Sequence, residues 1–163
     1  MLVFLDTEFT GLSHTAPERK LLSLALVAED GRAQWYAELD GWSVADCDPW
    51  VQRHVLPLMT GPRLTLDAAR ASLQGWFATL PRRVQAACDS EIDWHFLLEL
   101  LGDVPSNLAA QRHDLAPLID SGVYDKTVTA YFSNGHPEHH ALHDATAYRL
   151  GWLAWMDARK SVR

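Results

Sequence analysis

The sequence predicts an α/β protein in which helices cover both faces of a mixed sheet. Short apolar runs typical of buried strands alternate with longer segments whose apolar residues recur at helical spacing. Their order is three strands, helices, a strand, a helix, a strand and further helices, which fits a three-layer fold. Because 163 residues suit one domain with one sizeable core, we expect residues 1–163 to form a single domain.

The N-terminal part of the chain predicts three antiparallel strands. Residues 2–5 and 21–28 are apolar runs with the length of buried strands. The Asp30-Gly31 step is a turn signal, and an apolar-rich run resumes over residues 33–39. The second and third runs therefore form a hairpin, and the first run adds a third strand to it.

Helices and two more strands are predicted in the rest of the chain. Pro49 fits the first turn of a helix, Pro57 ends that helix, and Gly102 closes a later one. Asp114 is suited to cap a helix that follows it. The predicted helices cover residues 49–56, 66–80, 92–101 and 141–158, and the predicted strands cover residues 84–88 and 108–111. The expected sheet therefore has five strands.

Composition limits the class of function. The net charge of −7 argues against a protein that coats long nucleic acid, because such proteins gain affinity by neutralising phosphates. The same net charge is compatible with an enzyme that binds a few nucleotides with the help of bound cations. No apolar run reaches the roughly 20 residues of a membrane helix, and the first residues lack the features of a signal peptide. Cys47 and Cys88 fit a reducing compartment, so we expect a cytoplasmic protein with no membrane partner.

Two carboxylates stand together after the first apolar run. Asp6 and Glu8 are two residues apart, and on a strand such residues point to the same face. Adjacent carboxylates repel each other unless a counter-charge is present, and a hard divalent cation supplies one. Such a pair is also common as solvated surface charge, so it indicates a metal site only in combination with other residues.

Further carboxylates occupy the starts of two predicted helices. Asp93 begins the helix after the fourth strand, although Asp89 and Glu91 are rivals in the same loop and an Asp there is also an ordinary capping residue. Asp144 lies in the first turn of the last helix, directly after a histidine-rich stretch. Residues 136–145 hold four of the eight histidines. The helix would hold Asp144 rigidly, while the preceding loop could deliver a mobile histidine to the same centre.

Three segments carry a resemblance to a known family. Residues 6–12, with their phenylalanine at position 9, residues 51–57 and residues 139–145 occur in this order. The first and last resemble motifs of the DEDDh 3′–5′ exonucleases of the RNase T and oligoribonuclease group, the last as His-x-Ala-Leu-x-Asp-Ala. The middle segment is similar to a small stand-alone exoribonuclease subgroup known from mycobacteria. The second family motif is the least similar, because residues 88–91 replace the Asn- or Gly-rich lead that many members carry.

The resemblance implies an RNase H-like fold and a two-metal exonuclease. Asp6, Glu8, Asp93 and Asp144 would hold two Mg²⁺ or Mn²⁺ ions, which activate the attacking water and stabilise the leaving oxygen. The products would be nucleoside 5′-monophosphates released from a 3′ end. Oxygen ligands suit these hard ions, whereas a cage of cysteine and histidine would suit zinc.

The same resemblance separates the histidines. His139 would be the general base that deprotonates the attacking water, since a histidine pKa lies near working pH. His140 and His143 match variable positions of the motif, and together with His136 they are expected at the surface or rim. These four residues also support an alternative, a zinc-binding module without hydrolysis.

The expected partner is the 3′ end of single-stranded RNA or DNA, and the sequence leaves the choice of sugar open. Thr7, Phe9 and Trp94 are the candidate substrate contacts. Phe9 is suited either to stack on a terminal base or to pack in the core, and Trp94 stands beside Asp93 near the expected cleft. Relatives are commonly dimers, which makes a homodimer a further expectation. The alternatives are a 3′–5′ exodeoxyribonuclease and a catalytically silent nucleic-acid adaptor.

Overall fold

The structure, a computed structural model, describes residues 1–12, 19–119 and 121–160 and has an α/β architecture. The strands are β1 (Leu2–Phe9), β2 (Leu21–Ala28), β3 (Gln34–Leu39), β4 (Arg63–Leu64), β5 (Gln85–Cys88) and β6 (His113–Asp114). The helices are α1 (Pro49–His54), α2 (Leu66–Thr79), α3 (Glu91–Leu101), α4 (Ala116–Ile119), α5 (Gly122–Ser133) and α6 (Ala141–Lys160). Short 3-10 turns occupy Val44–Asp46 and Leu56–Leu58. Of these helices, none combines the length and apolarity needed to cross a membrane.

The strands form one mixed sheet in the order β4-β3-β2-β1-β5-β6. β2 pairs antiparallel with β1 and with β3, which confirms the prediction of three antiparallel strands in the N-terminal part of the chain. β5 runs parallel to β1, and β4 and β6 add parallel strands at the two edges. Helices on both faces confirm the predicted α/β class. β1 is thus an interior strand, and side chains near its end lie between the two helical layers.

The sheet has six strands rather than the expected five. β4 is only two residues long, so it is too short to give an alternating pattern in the sequence. Residues 108–111 do not form the predicted strand, because Leu108 is buried in the core and makes only an isolated bridge with Val84. Pairing with β5 resumes at His113 and Asp114, and Asp114 then accepts a hydrogen bond from the backbone N–H of Ala116 at the start of α4.

Alternate residues of β1 face different layers. Val3 and Leu5 belong to the main core, which the sheet forms with α2 and α3. Phe4 belongs to a smaller cluster on the other face, beneath α6. Continuing this alternation, the even-numbered Asp6 and Glu8 face α6, whereas Thr7 faces α3. The first strand therefore points both carboxylates to one face, as their spacing predicts, and the structure places α6 over that face.

Small side chains bring α6 close to the sheet and to α5. Ala141 and Ala145 are fully buried against Ala25 and other residues of β2. Farther along α6, a Cβ at Gly151 would come within 2.8 Å of the ring of Tyr124, so glycine is required for the observed approach of α5. This packing fixes the first turn of α6 above β1 and β2.

Candidate metal centre

Three carboxylates from distant parts of the chain converge. Asp6 and Glu8 come from β1, and Asp144 comes from the first turn of α6. One carboxylate oxygen of each residue lies within 4.8 Å of the other two. Oxygen ligands at this spacing suit a hard divalent cation, so the three residues could hold a metal ion. Across the described ranges, no other set of three or more His, Cys, Asp or Glu side chains has such an arrangement.

Asp93 approaches the same region from the opposite layer. It lies in the first turn of α3 and is only 4% exposed. Its Oδ1 accepts a hydrogen bond from Thr7 Oγ1 at 2.5 Å. Thr7 stands between Asp6 and Glu8 in the sequence, so it ties the fourth carboxylate to the strand that carries the first two. Thr7, predicted as a substrate contact, is itself buried and serves to hold Asp93.

Burial, followed by nearby negative charges, raises the pKa of all four carboxyl groups. Burial, and then the charges of Asp144 and Asp93, raise the pKa of Glu8 to about 8. Burial likewise raises the pKa of Asp93 and of Asp144 to about 7. The pKa of Asp6 lies well above its ordinary value because of burial and the charges of its neighbours, Asp93 first. The cluster therefore keeps protons near neutral pH, and a divalent cation would displace them.

Tyr148, one helical turn after Asp144, joins two of the acidic residues. Its hydroxyl lies 3.3 Å from Asp6 Oδ1 and 3.3 Å from Asp89 Oδ2. A tyrosine hydroxyl has one proton, so it donates to one of these carboxylates at a time. Asp89 is thus linked to Asp6 through the Tyr148 hydroxyl, whereas Asp93 is hydrogen-bonded to Thr7 of β1. This polar role of Tyr148 is a finding of the structure.

His139 lies beside the centre with its ring turned toward α1. Its backbone φ of 65° is in the left-handed region, which is uncommon for a residue with a side chain. The imidazole meets the Trp50 ring edge-on, with 4.7 Å between ring centroids. The adjacent backbone is fastened to the acidic cluster, because the N–H of His140 donates to Asp144 Oδ2 at 2.9 Å. The loop is therefore anchored at the centre while the His139 ring is exposed.

The other histidines of the stretch pack against tyrosines. The ring of His140 stacks on Tyr36, and that of His136 stacks on Tyr131 with centroids 4.0 Å apart. The hydroxyl of Tyr131 lies 2.9 Å from His143 Nδ1. Burial lowers the pKa of both half-buried rings, His140 and His143. His136 is exposed, as expected, whereas the other two are more enclosed than surface residues.

A buried glutamate near the site gives no signal in the sequence. Glu38 on β3 is almost fully buried, and its Oε1 accepts hydrogen bonds from the Tyr36 hydroxyl at 3.0 Å and from the Gly61 N–H at 2.9 Å. Ser23 pairs with Glu38 on one side and with Glu8 on the other, so both glutamates lie on the same face of the sheet. This network extends the polar character of the site from β1 toward β3.

Phe9 and Trp94 lie in different environments. Trp94 is 8% exposed and packs within the main core, so little of its ring is open to a ligand. Phe9 is half-buried, and its ring centroid lies 5.6 Å from that of Phe96. Phe9 also lines a cavity of about 210 Å³ beside Glu8. The structure thus gives Phe9 both a packing contact and a place in the cavity wall, and gives Trp94 a packing position.

The cavity beside Glu8 has apolar walls. Leu12 and Trp50 line it together with Phe9. Leu12 is 63% exposed and Trp50 is 45% exposed, so both side chains are accessible to solvent. Sequence reasoning did not find Trp50, because its place next to Glu8 depends on how α1 packs against β1.

Neither a scan against protein-family models nor a search of curated proteins finds a match to this chain. The fold and the site therefore define the class of the molecule by themselves. It is an α/β protein with a six-stranded mixed sheet and an acidic cluster, at the end of an interior strand, that could hold a metal ion.

Proposed function

We propose that this chain is a metal-dependent 3′–5′ exonuclease with an RNase H-like fold that releases nucleoside 5′-monophosphates from single-stranded RNA. The observation that carries the proposal is the convergence of Asp6, Glu8 and Asp144 within 4.8 Å, with Asp93 hydrogen-bonded to the same strand. The resemblance to the DEDDh exonucleases assigns metal binding to these four residues. The resemblance of residues 51–57 to a small exoribonuclease subgroup favours RNA over DNA.

The donor set fits two Mg²⁺ or Mn²⁺ ions. Carboxylate oxygens are the ligands that hard divalent cations prefer; those of Asp6, Glu8 and Asp144 converge here, and a fourth carboxylate, Asp93, is hydrogen-bonded to Thr7 of the same strand. Burial, and then the charges of Asp144 and Asp93, raise the pKa of Glu8 to about 8, and a bound cation would favour the charged form of the carboxylate. When bound, such ions supply activation of the attacking water and stabilisation of the leaving 3′ oxygen. Asp6, Glu8, Asp93 and Asp144 would hold them.

The remaining roles belong to side chains around the cluster. His139 would take the proton of the attacking water, because its loop is fastened beside Asp144 while its imidazole is exposed. The apolar cavity formed by Phe9, Leu12 and Trp50 would receive the 3′-terminal base, since unpaired bases stack on aromatic side chains. Both groups adjoin the carboxylates, so a terminal nucleotide in the cavity would bring its phosphodiester to the metal ligands.

Degradation of labelled strands tests this function. With Mg²⁺ or Mn²⁺, a 5′-labelled single-stranded RNA should give a descending ladder and nucleoside 5′-monophosphates, and chelation should stop the reaction. Asp144→Asn should be inactive, whereas Glu99→Gln, which changes an exposed residue of α3, should match the wild type. Cleavage of circular RNA would contradict the exonuclease mode. Faster degradation of single-stranded DNA than of RNA would identify an exodeoxyribonuclease instead.

A further inference from the structure

We propose that Trp50 is a positioning residue for His139. Through Trp50, the nucleobase at the substrate's 3′ end would control the placement of the His139 imidazole, the proposed general base. The inference rests on the proposed exonuclease function. The Trp50 indole lines the cavity beside Glu8, and the same indole contacts the His139 ring, with centroids 4.7 Å apart and planes at 82°. One side chain therefore adjoins both the space for the terminal base and the group that would remove the proton.

Trp50 is well anchored on the protein side. The backbone N–H of Asp48 donates to Thr10 O at 2.7 Å, which joins the start of α1 to the end of β1. Gly11, with a φ of 144°, makes this approach possible, because a Cβ there would collide with the Asp48 carboxyl group. The indole also stacks on His54, one turn later on α1, at 4.8 Å between centroids. The helix therefore sets the indole at a defined place relative to β1 and leaves its outer part exposed.

His139 has much weaker anchoring for its ring. The side chain is 45% exposed, and its Nε2 lies 3.9 Å from Glu138 Oε2, which is beyond hydrogen-bond range. The edge contact with Trp50 is thus the close contact that restricts the imidazole. An exposed side chain loses rotamer freedom only when a neighbour holds it. A base stacked against the indole would fix the indole, and through it the imidazole.

This arrangement predicts that the terminal base contributes to turnover as well as to affinity. Binding energy from a part of the substrate that does not react raises kcat when it orients the reacting groups. A strand whose 3′-terminal nucleotide lacks its base would leave the indole without a partner. For this substrate, the wild-type enzyme should show a lower kcat in addition to a higher KM.

A double-mutant cycle tests the inference. Trp50→Ala should lower kcat by about tenfold to a hundredfold, the range produced by a misplaced catalytic group, and Trp50→Phe should recover most of it. In a His139→Ala background, Trp50→Ala should change kcat by less than about twofold, because the group it positions is absent. Glu99→Gln changes an exposed residue of α3 that does not line the cavity, so it should leave both kcat and KM within about twofold of the wild type.

The abasic strand gives a second readout, which is independent of overall stability. Removal of the terminal base should lower kcat in the wild type and in Trp50→Phe but not in Trp50→Ala. Additive losses of kcat in the double mutant, or a base-dependent kcat that persists in Trp50→Ala, would overturn the inference and leave the exonuclease function intact. A wild-type protein that fails to shorten RNA would overturn the function itself, and the inference with it.

Discussion

Replacing Glu8 with glutamine should make the metal-free protein more stable at pH 8, although it removes a proposed metal ligand. Burial and the charges of Asp144 and Asp93 raise the pKa of Glu8 from 4.5 to about 8. In the unfolded chain these causes disappear, and the carboxyl group returns to its ordinary pKa. Glutamine has nearly the same shape without the charge, so it relieves the repulsion while preserving the packing.

The direction of the effect follows from proton binding. Between pH 4.5 and 8 the folded protein keeps a proton on Glu8 that the unfolded chain has released, so the stability of the metal-free wild type falls as the pH rises. One pKa unit corresponds to about 1.4 kcal/mol. The raised pKa of Glu8 therefore lowers the free energy of unfolding of the metal-free wild type at pH 8 by at most roughly 4 kcal/mol. For Glu8→Gln we expect a gain of about 2–4 kcal/mol, or about 4–16 °C in Tm for a chain of this size. At pH 4.5 the difference should nearly vanish.

Urea and thermal unfolding followed by circular dichroism, in the presence of a chelator at pH 4.5 and pH 8, measures this difference. Glu99→Gln is the matched control, because the side chain of Glu99 is exposed on α3, and its stability should equal that of the wild type. Addition of Mn²⁺ at pH 8 should raise the Tm of the wild type and raise that of Glu8→Gln much less. A loss of metal-free stability at pH 8, or an equal gain at both pH values, would refute the repulsion argument.

Other predictions concern the neighbours of Glu8. The Asp93→Asn variant should lose most of its turnover and the Asp89→Asn variant much less, as measured by steady-state rates. The reverse order would make Asp89, rather than Asp93, the proposed metal ligand. Tyr148→Phe should raise the Mn²⁺ concentration for half-maximal activity by about tenfold, because a proposed metal ligand loses its hydrogen-bond donor; a metal titration checks it. His139→Ala should lower turnover by about 10²–10⁴-fold, with little change in metal affinity. His143→Ala should keep turnover within a few-fold and lower the Tm; equal kinetic damage in both histidine variants would refute the base assignment.

Secondary structure was predictable where the burial of an element leaves an apolar run or a periodic pattern in the sequence. β2 coincides with the apolar run at residues 21–28, and α2 matches its pattern because Leu73 and Phe77 recur at helical spacing on the core side. β4 was not predictable, since two residues carry no period and their pairing with β3 is decided by tertiary structure. The predicted strand at residues 108–111 was wrong because Leu108 packs in the core but makes only an isolated bridge with Val84.

The candidate site was predictable to the extent that it depends on local spacing. The two-residue separation of Asp6 and Glu8 indicated a shared face, and the structure places both with Asp144. The contacts between secondary-structure elements could not be predicted from the sequence pattern. Tyr148 looks like a packing residue until α6 is set against β1, and the hydroxyl of Thr7 has no visible role until α3 presents Asp93 to it.

The contacts between β1 and α6 determine when the acidic cluster can form during synthesis and folding. The hydrogen bond between Tyr148 and Asp6 links residues 142 positions apart, and the acidic cluster is completed by the same helix. Because synthesis proceeds from the N-terminus, a nascent chain carries the first two carboxylates long before the helix that completes the set leaves the ribosome. Contacts of such large sequence separation also form late and slowly in folding. The acidic cluster, and the activity proposed for it, would therefore be completed only after α6 has left the ribosome.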